Sequence, residues 1–133
     1  MEVTEYLGGC HCGQVRFKLT TPKITNVIRC NCSICKKSGY LHVHVAKNDL
    51  DIFKGTEHLV SYKFNTRQAT HLFCQTCGVK AFYIPRSHPH GYSVNLNCIE
   101  NFVGDVHIDE FNGSQWEAEI EQLPAQPIDQ VTT

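Results

Sequence analysis

The stretch Gly9-Cys10-His11-Cys12-Gly13 starts the cysteine pattern from which the fold is predicted. Further along the chain, Phe73-Cys74-Gln75-Thr76-Cys77-Gly78 contains a second close cysteine pair. A Cys-x-x-Cys-Gly turn is typical of zinc ribbons, because glycine tolerates a positive φ that lets backbone N–H groups point at the thiolates. For the Cys-x-Cys pair we expect an extended chain, which places both sulfurs on one face. The two pairs together predict a closed, structural four-thiolate zinc site formed by Cys10, Cys12, Cys74 and Cys77.

A third cluster, Cys30-Asn31-Cys32-Ser33-Ile34-Cys35, offers three sulfurs within a short segment. Zinc held by three protein ligands keeps a position for water or substrate, which is typical of catalytic rather than structural sites. Three thiolates weaken the ion as a Lewis acid, so the pattern favours activation of a substrate thiol over generation of hydroxide. The alternative is that a distant side chain closes this site, and the candidates for that are Cys98, His42 and His44.

The eight cysteines also admit non-zinc interpretations. Pairwise disulfides would require an oxidising compartment, yet Met1-Glu2-Val3-Thr4-Glu5 has neither the basic start nor the apolar stretch of a targeting signal. We therefore expect a cytoplasmic protein, in which disulfides rarely persist. Iron–sulfur ligation is possible for four thiolates, but the spacing lacks the longer runs that ferredoxins use.

The composition predicts one globular domain without a membrane span or a nucleic-acid partner. The chain has 133 residues, of which 41% are hydrophobic, and its 12 Lys+Arg nearly balance 13 Asp+Glu. Its longest apolar run, residues 81–84, is far shorter than the roughly 20 residues that a bilayer-spanning helix needs. Lys63, Arg67 and Lys80 are scattered rather than clustered, which argues against a nucleic-acid interface. The sequence does not indicate an oligomeric state.

Short β-branched and aromatic runs separated by turn residues predict a mostly β protein. The predicted strands are 14–20, 24–29, 41–46, 59–64, 70–73, 79–84 and 92–96. The predicted C-terminal helix is 115–121, because Ser114 and Glu117 form a capping box while Trp116 and Ile120 share a face. We expect a single domain over residues 1–123 and a loosely ordered tail over 124–133, where apolar periodicity is lost.

These motifs together resemble the family of glutathione-dependent formaldehyde-activating enzymes and centromere protein V, most closely its centromere protein V branch. The resemblance covers roughly residues 6–120 and includes Tyr83-Ile84-Pro85-Arg86-Ser87 and Glu110-Phe111-Asn112-Gly113-Ser114-Gln115-Trp116. It implies a zinc-binding β-fold of the Mss4-like type with two zinc ions per chain. It also implies a carbon–sulfur lyase reaction, in which glutathione condenses with formaldehyde to S-(hydroxymethyl)glutathione.

The resemblance assigns roles to the cysteines that agree with their spacing. Structural zinc would be bound by Cys10, Cys12, Cys74 and Cys77, and catalytic zinc by Cys30, Cys32 and Cys35. His42 and His44 share a parity on a predicted strand just after the three-cysteine segment. Either is a candidate general base, hydrogen-bond donor to a ligand or fourth ligand, and the alternative is a half-buried strand histidine.

Other side chains are weaker candidates for the site. The carboxylates of a glutathione-like thiol could be attracted by Arg29, Lys36, Lys37 and Arg86, for which the alternative is solvated surface charge. Cys98 is interpreted either as a small buried hydrophobe or as a participant near the second zinc.

Two functions of different classes follow from the sequence. The first is a zinc-dependent carbon–sulfur lyase that condenses a small thiol, such as glutathione, with formaldehyde or a related electrophile. The alternative is a non-catalytic, zinc-stabilised protein-interaction module. In the centromere branch, chromatin and microtubule association is linked to a basic extension, whereas the residues before Cys10 contain no Lys or Arg.

Overall fold

The computed structural model of the protein describes residues 2–64 and 69–112. Within these ranges the chain forms ten β-strands and one α-helix. The strands are β1 (Thr4–Gly9), β2 (Arg16–Thr21), β3 (Asn26–Cys30), β4 (His42–Ala46), β5 (Leu50–Lys54), β6 (Leu59–Tyr62), β7 (Thr70–Cys74), β8 (Phe82–Ile84), β9 (Gly91–Asn95) and β10 (His107–Phe111). The helix, α1 (Ser33–Ser38), lies between β3 and β4. Single turns of 3-10 helix cover Lys47–Asp49, Thr56–His58 and Leu96–Cys98.

The strands form two sheets. A three-stranded sheet has the order β1-β2-β5, and a seven-stranded sheet has the order β10-β3-β4-β9-β8-β7-β6. The pair β10 and β3 is parallel, whereas the remaining strand pairs of the described residues are antiparallel. This order places the end of β3, the start of β4 and strands β7 to β9 side by side, where they form one wall of the site described below.

Side chains of both sheets meet in one apolar core. In β2, Phe17, Leu19 and Thr21 are buried while the alternate residues are partly exposed, as expected of a strand with one face on a core. Phe17 packs edge to face against Phe82 of the larger sheet, with ring centroids 5.9 Å apart. Such a pair contributes about 0.5–1.5 kcal/mol beyond its buried area. The two sheets are therefore held together mainly by apolar packing.

Gly8 allows β1 to approach the segment that follows β9 closely. It forms an isolated antiparallel bridge with Ile99. A Cβ atom at Gly8 would lie 2.2 Å from the carbonyl oxygen of Cys98 and 2.7 Å from the ring of Phe17. Only glycine fits here without movement of the backbone.

The structure confirms the predicted mostly β fold, although several boundaries differ. Each of the seven predicted strands overlaps an observed one. The predicted starts at Gln14 and Val79 are wrong, because residues 11–15 turn between β1 and β2 and residues 78–81 approach β8 without strand pairing.

Four elements were missed by the sequence analysis: β1, β5, β10 and α1. Strand β1 ends in Gly8-Gly9, and β10 contains two adjacent acidic residues, so neither has a typical strand composition. Helix α1 has only six residues, too few for a visible helical period. Pairing partners and cysteine geometry, rather than local propensity, stabilise these elements.

The predicted helix 115–121 and tail 124–133 lie outside the described residues, and the predicted domain limits stay a prediction. In residues 2–64 and 69–112, no helix has the length and apolar character needed to span a bilayer.

Candidate metal centres and active-site cavity

The first candidate metal centre is the four-cysteine cluster of Cys10, Cys12, Cys74 and Cys77. All four sulfurs lie within 4.8 Å of one another, and Cys12 Sγ is 3.6 Å from the sulfurs of both Cys10 and Cys74. Two of the cysteines lie between β1 and β2, and two lie at the end of β7 and in the turn after it. The cluster therefore connects the smaller sheet to the larger one.

The turn after β7 has the geometry that its sequence predicts. Gly78 has a φ of +75°, and its N–H donates to the carbonyl oxygen of Cys74 at 2.8 Å. The N–H of Thr76 points at Cys74 Sγ at 3.4 Å. Backbone dipoles therefore face the sulfur and stabilise its thiolate form.

The expected conformation of the Cys-x-Cys pair is wrong. Residues 11 and 12 form a turn rather than a strand, and Gly13 adopts a φ of +84°. The N–H of Val15 then donates to Cys10 Sγ at 3.3 Å. Both sulfurs still face one centre, because the turn folds back towards them rather than because alternate strand residues share a face.

The second candidate centre is the three-cysteine cluster of Cys30, Cys32 and Cys35, whose sulfurs also lie within 4.8 Å of one another. Cys30 ends β3, Cys32 immediately precedes α1, and Cys35 lies in α1. Cys30 and Cys35 are buried, whereas Cys32 is half-buried. The short helix is what turns Cys35 back towards the other two sulfurs, and Gly39 ends it in the left-handed conformation, with φ 63°.

The electrostatics of this cluster fit a cation site. Hydrogen bonds from the thiols of Cys30 and Cys35 lower the pKa of Cys32 to about 2. The hydrogen bonds with Cys30 and Cys32, together with burial, raise the pKa of Cys35 far above its ordinary value. Three adjacent sulfurs cannot all ionise unless a cation compensates their charge.

The three-cysteine cluster lies at the wall of a cavity of about 170 Å³. Its lining is mainly apolar and aromatic, and its polar side chains include three imidazoles. The other lining residues are Ile28, Ile34, His42, His44, Phe64, Ala69, His71, Tyr83, Pro85, Arg86, Ser87 and Phe111. A cavity of this size accepts a small molecule or one end of a larger one.

His42 lies against the three-cysteine cluster. It is 3% exposed, and its Nε2 is 3.2 Å from Cys35 Sγ. Its Nδ1 lies 2.9 Å from Ser93 Oγ and 3.2 Å from the Tyr83 hydroxyl. Burial lowers the pKa of His42 to about 3, so the ring is neutral at physiological pH. His42 is therefore buried rather than half-buried, and it lies on a strand beside a cysteine sulfur.

His44 also lines the cavity, beside two other imidazoles. Its ring stacks on His88 with centroids 4.6 Å apart, and it lies 5.7 Å from the His42 ring. It is buried rather than half-buried, and this burial holds its pKa well below 6.5.

His71 and Lys80 form a second polar group beside the cavity. Lys80 Nζ is 2.7 Å from His71 Nδ1 and lies over the rings of Tyr83 and Tyr40, at 4.0 Å and 4.9 Å from their centroids. Burial lowers the pKa of Lys80 to about 8 and, with the nearby Lys80 charge, that of His71 to about 4.

The other sequence candidates separate into those at the site and those elsewhere. Arg86 lines the cavity. Arg29 forms an exposed ion pair with Glu110, and Lys36 and Lys37 are exposed on α1. Cys98 is half-buried against the main core, with its sulfur 3.9 Å from the carbonyl oxygen of Lys80. It is not part of either cysteine cluster.

Sequence reasoning missed His71, Lys80, Tyr83 and Ser93 as site residues. Strand register brings three of them together, because Tyr83 of β8 pairs with His71 of β7 and with Ser93 of β9. The alternation of residues along each strand was visible in the sequence, but the register between distant strands was not.

The chain is similar to known proteins in both sequence and fold. A sequence model of the family of glutathione-dependent formaldehyde-activating enzymes matches residues 5–117. A Halomonas elongata protein that carries the same family name is 35% identical over 78 residues, which cover 53% of this chain and 50% of that protein. The match thus spans about half the length of this curated relative.

A solved structure has a similar fold. The crystal structure of a Rhodobacter sphaeroides protein is similar with a TM-score of 0.69 and 34% sequence identity, covering 77% of this chain and 99% of that one.

Proposed function

Because the chain belongs to the family of glutathione-dependent formaldehyde-activating enzymes, we propose that it condenses a small thiol with formaldehyde or a related electrophile. With glutathione as the thiol, the product is S-(hydroxymethyl)glutathione, and the enzyme is a carbon–sulfur lyase. The observation that carries this proposal is the position of three clustered cysteine sulfurs at the wall of a cavity of about 170 Å³. A cytoplasmic location, where thiols are kept reduced, suits this chemistry.

Zinc is the proposed metal at both clusters, with two ions per chain. Thiolates are soft ligands that suit zinc. Four sulfurs at about 2.3 Å from a tetrahedral zinc lie about 3.8 Å apart, and the observed separations of 3.6 Å from Cys12 to Cys10 and Cys74 fit this value. We assign the four-cysteine cluster as the closed structural site and the three-cysteine cluster as the site that accepts a fourth ligand.

The residues of the cavity would bind and orient the two reactants. Bound zinc would lower the pKa of a coordinated substrate thiol and so keep it as a thiolate. Arg86, which lines the cavity, would attract a carboxylate of the thiol substrate. The apolar side chains, including Ile28, Ile34 and Phe111, would exclude water from the reacting atoms. Holding both reactants in one cavity can lower the barrier by up to about 7–11 kcal/mol in well-oriented cases.

The reaction requires no oxidant or reductant. The thiol loses its proton to solvent, a carbon–sulfur bond forms at the carbonyl carbon, and the carbonyl oxygen takes up one proton. The site therefore has to stabilise a thiolate before the step and a developing alkoxide during it.

The Cys32→Ser variant tests the catalytic assignment. We expect it to fold and to lose thiol-dependent formaldehyde consumption by about 100-fold or more, because one of three ligands is removed. Cys98→Ser is the matched control, since Cys98 belongs to neither cluster, and it should keep wild-type activity. The measurement is the rate of formaldehyde loss with glutathione, alongside zinc content.

The interaction-module alternative gives a different result in the same experiment. It would be favoured by two inert zinc ions and by equal, background rates in the wild type and Cys32→Ser. Equal but substantial rates in both proteins would instead show that this cluster is not the catalytic site.

A further inference from the structure

Half-buried Lys80 and buried His71 form a pair whose chemistry the thiol site does not use. Lys80 Nζ lies 2.7 Å from His71 Nδ1, close enough for a strong hydrogen bond. The amine is also held over two aromatic faces, those of Tyr83 and Tyr40, an arrangement that favours its charged form. An ammonium group has only donors, so Nδ1 of His71 must be the acceptor.

This contact fixes the tautomer of His71. A neutral imidazole that accepts at Nδ1 carries its proton on Nε2. The ring cannot turn over freely, because it stacks against Tyr83 on one side, with centroids 4.8 Å apart, and against Phe64 with centroids 5.4 Å apart. His71 is therefore held as an N–H donor at Nε2.

The Nε2 atom is the part of His71 left for a ligand. His71 is 5% exposed and lines the cavity that the three-cysteine cluster also lines. Within residues 2–64 and 69–112, the Nε2 atom of His71 has no hydrogen-bond partner. Protein atoms do not enclose it fully, so it is accessible from the cavity. A buried N–H donor that opens into a cavity is a ready partner for an anionic oxygen.

We propose that His71 is the catalytic residue that binds and protonates the carbonyl oxygen of the aldehyde, and that Lys80 positions it and supplies the proton. This role rests on the proposed function, because it requires a thiolate to add to a carbonyl group in this cavity. Arg86 and the metal that the three-cysteine cluster would hold would bind the thiol, while His71 acts on the electrophile.

The proposed step is balanced in atoms and electrons. As the carbon–sulfur bond forms, the carbonyl π pair moves onto oxygen. That oxygen takes the proton of His71 Nε2, while His71 Nδ1 takes one from the Lys80 ammonium. The imidazole stays neutral throughout. To restore the starting state, the free amine of Lys80 takes back the proton on Nδ1 while Nε2 takes one from water. No other co-reactant is required.

The groups that surround this pair are compatible with the step. The titratable side chains facing Lys80 are His71, Tyr40 and Tyr83, and the sulfurs of Cys30, Cys32 and Cys35 act on it through space. Burial keeps the pKa values of both tyrosines well above 10, so they remain neutral. The pKa of Lys80, lowered to about 8 by burial, leaves it protonated at neutral pH and a better proton donor than an exposed lysine.

Nitrogen NMR of the zinc-loaded protein tests the geometry independently of turnover. With ¹⁵N-labelled histidine, the signals of His71 should show the Nε2–H tautomer from pH 6 to 7. Lys80→Arg should retain this tautomer, because Arg also has only donors, whereas Lys80→Met should produce a tautomer mixture. An Nδ1–H tautomer or a protonated ring in the wild type would overturn the proposal.

Kinetics test the role of the pair in the reaction. Lys80→Met should lower kcat about 100-fold, as expected for loss of general acid catalysis, with the dissociation constant of glutathione changed less than twofold. His71→Gln should lower kcat in the same way. The matched controls are Lys47→Met and His90→Gln at exposed positions, which should keep wild-type values.

The pH profile separates proton donation from simple positioning. The wild-type kcat should fall above about pH 8 as Lys80 loses its proton. Lys80→Arg, which keeps the charge but cannot release a proton, should have a lower kcat and no such fall. Unchanged kcat in Lys80→Met, or an alkaline limb that persists in Lys80→Arg, would overturn the role of Lys80. A wild type that binds glutathione without consuming aldehyde would instead overturn the proposed function, and this role with it.

Discussion

At the residue scale, the candidate site depends on histidines that are kept neutral by burial. His42, with a pKa lowered to about 3, touches Cys35 Sγ through Nε2. Its Nδ1 faces two hydroxyl groups, those of Ser93 and Tyr83, which can donate to it. The Nε2–H tautomer can then donate to Cys35 Sγ, and such outer contacts orient metal ligands and tune their basicity.

His44 gives a pH-dependent prediction. Its pKa is held well below 6.5 by burial, so between pH 6.5 and 5 the unfolded chain takes up a proton there that the folded protein does not. The free energy of unfolding therefore falls as the pH is lowered through this range. In His44→Phe, the fall between pH 7 and 5 should be smaller by up to about 2 kcal/mol.

Urea unfolding of the zinc-loaded wild type and His44→Phe at pH 7 and pH 5 measures this difference. Loss of zinc at the lower pH acts on both proteins, so it cancels when their falls in the free energy of unfolding are compared. His90→Phe, at an exposed position, serves as the control and should show the wild-type fall. The same fall in His44→Phe as in the wild type would show that His44 is not buried in its neutral form.

At the element scale, the sites form where short elements meet. The end of β3, the residue before α1 and the first turn of α1 supply the three sulfurs. The order β4-β9-β8-β7 then lines up His42 and His44 with Ser93, Tyr83 and His71. Sequence spacing revealed the sulfurs because they are close in the chain. It could not reveal the hydroxyl and imidazole partners, because those depend on pairing between distant strands.

The close approach of β1 to the segment after β9 at Gly8 can be tested by substitution. A Cβ there would lie 2.2 Å from the Cys98 carbonyl oxygen, so Gly8→Ala should force a backbone shift and destabilise the protein by about 2 kcal/mol or more. Gly104→Ala is the control, because Gly104 has a φ of +99° but no atom within 4 Å of a built Cβ. Its cost should be limited to backbone strain of about 1 kcal/mol.

The readout for both variants is urea unfolding with saturating zinc. If Gly8→Ala were as stable as the wild type, or more stable than Gly104→Ala, the described packing between Gly8 and Cys98 would be wrong.

At the scale of the whole molecule, the four-cysteine cluster joins chain segments that are 62 residues apart, as measured from Cys12 to Cys74. It ties the turn after β1 to the end of β7, so a bound metal would stabilise the contact between the two sheets. The three-cysteine cluster uses only neighbouring residues and closes no long loop. This difference in chain connection supports the structural role that we propose for the first cluster and the catalytic role that we propose for the second.

Features that depend on local chain geometry were predictable from the sequence, whereas features that depend on pairing between distant segments were not. Cys74, Cys77 and Gly78 specify a local turn, and local geometry can be read from spacing. The parallel pairing of β10 with β3, which brings Phe111 to the cavity, has no local signal, because His107–Phe111 lacks apolar alternation. Lys80 likewise appeared as a scattered charge until the fold placed it against His71.

The central claim is that one cluster is saturated by its own sulfurs while the other has room for a substrate sulfur. Zinc X-ray absorption of the two-zinc protein, before and after addition of excess glutathione, tests it most directly. The claim predicts that the mean number of sulfur ligands per zinc rises from about 3.5 to about 4, because only the three-cysteine site gains a ligand. A mean that stays unchanged when glutathione is added would contradict it.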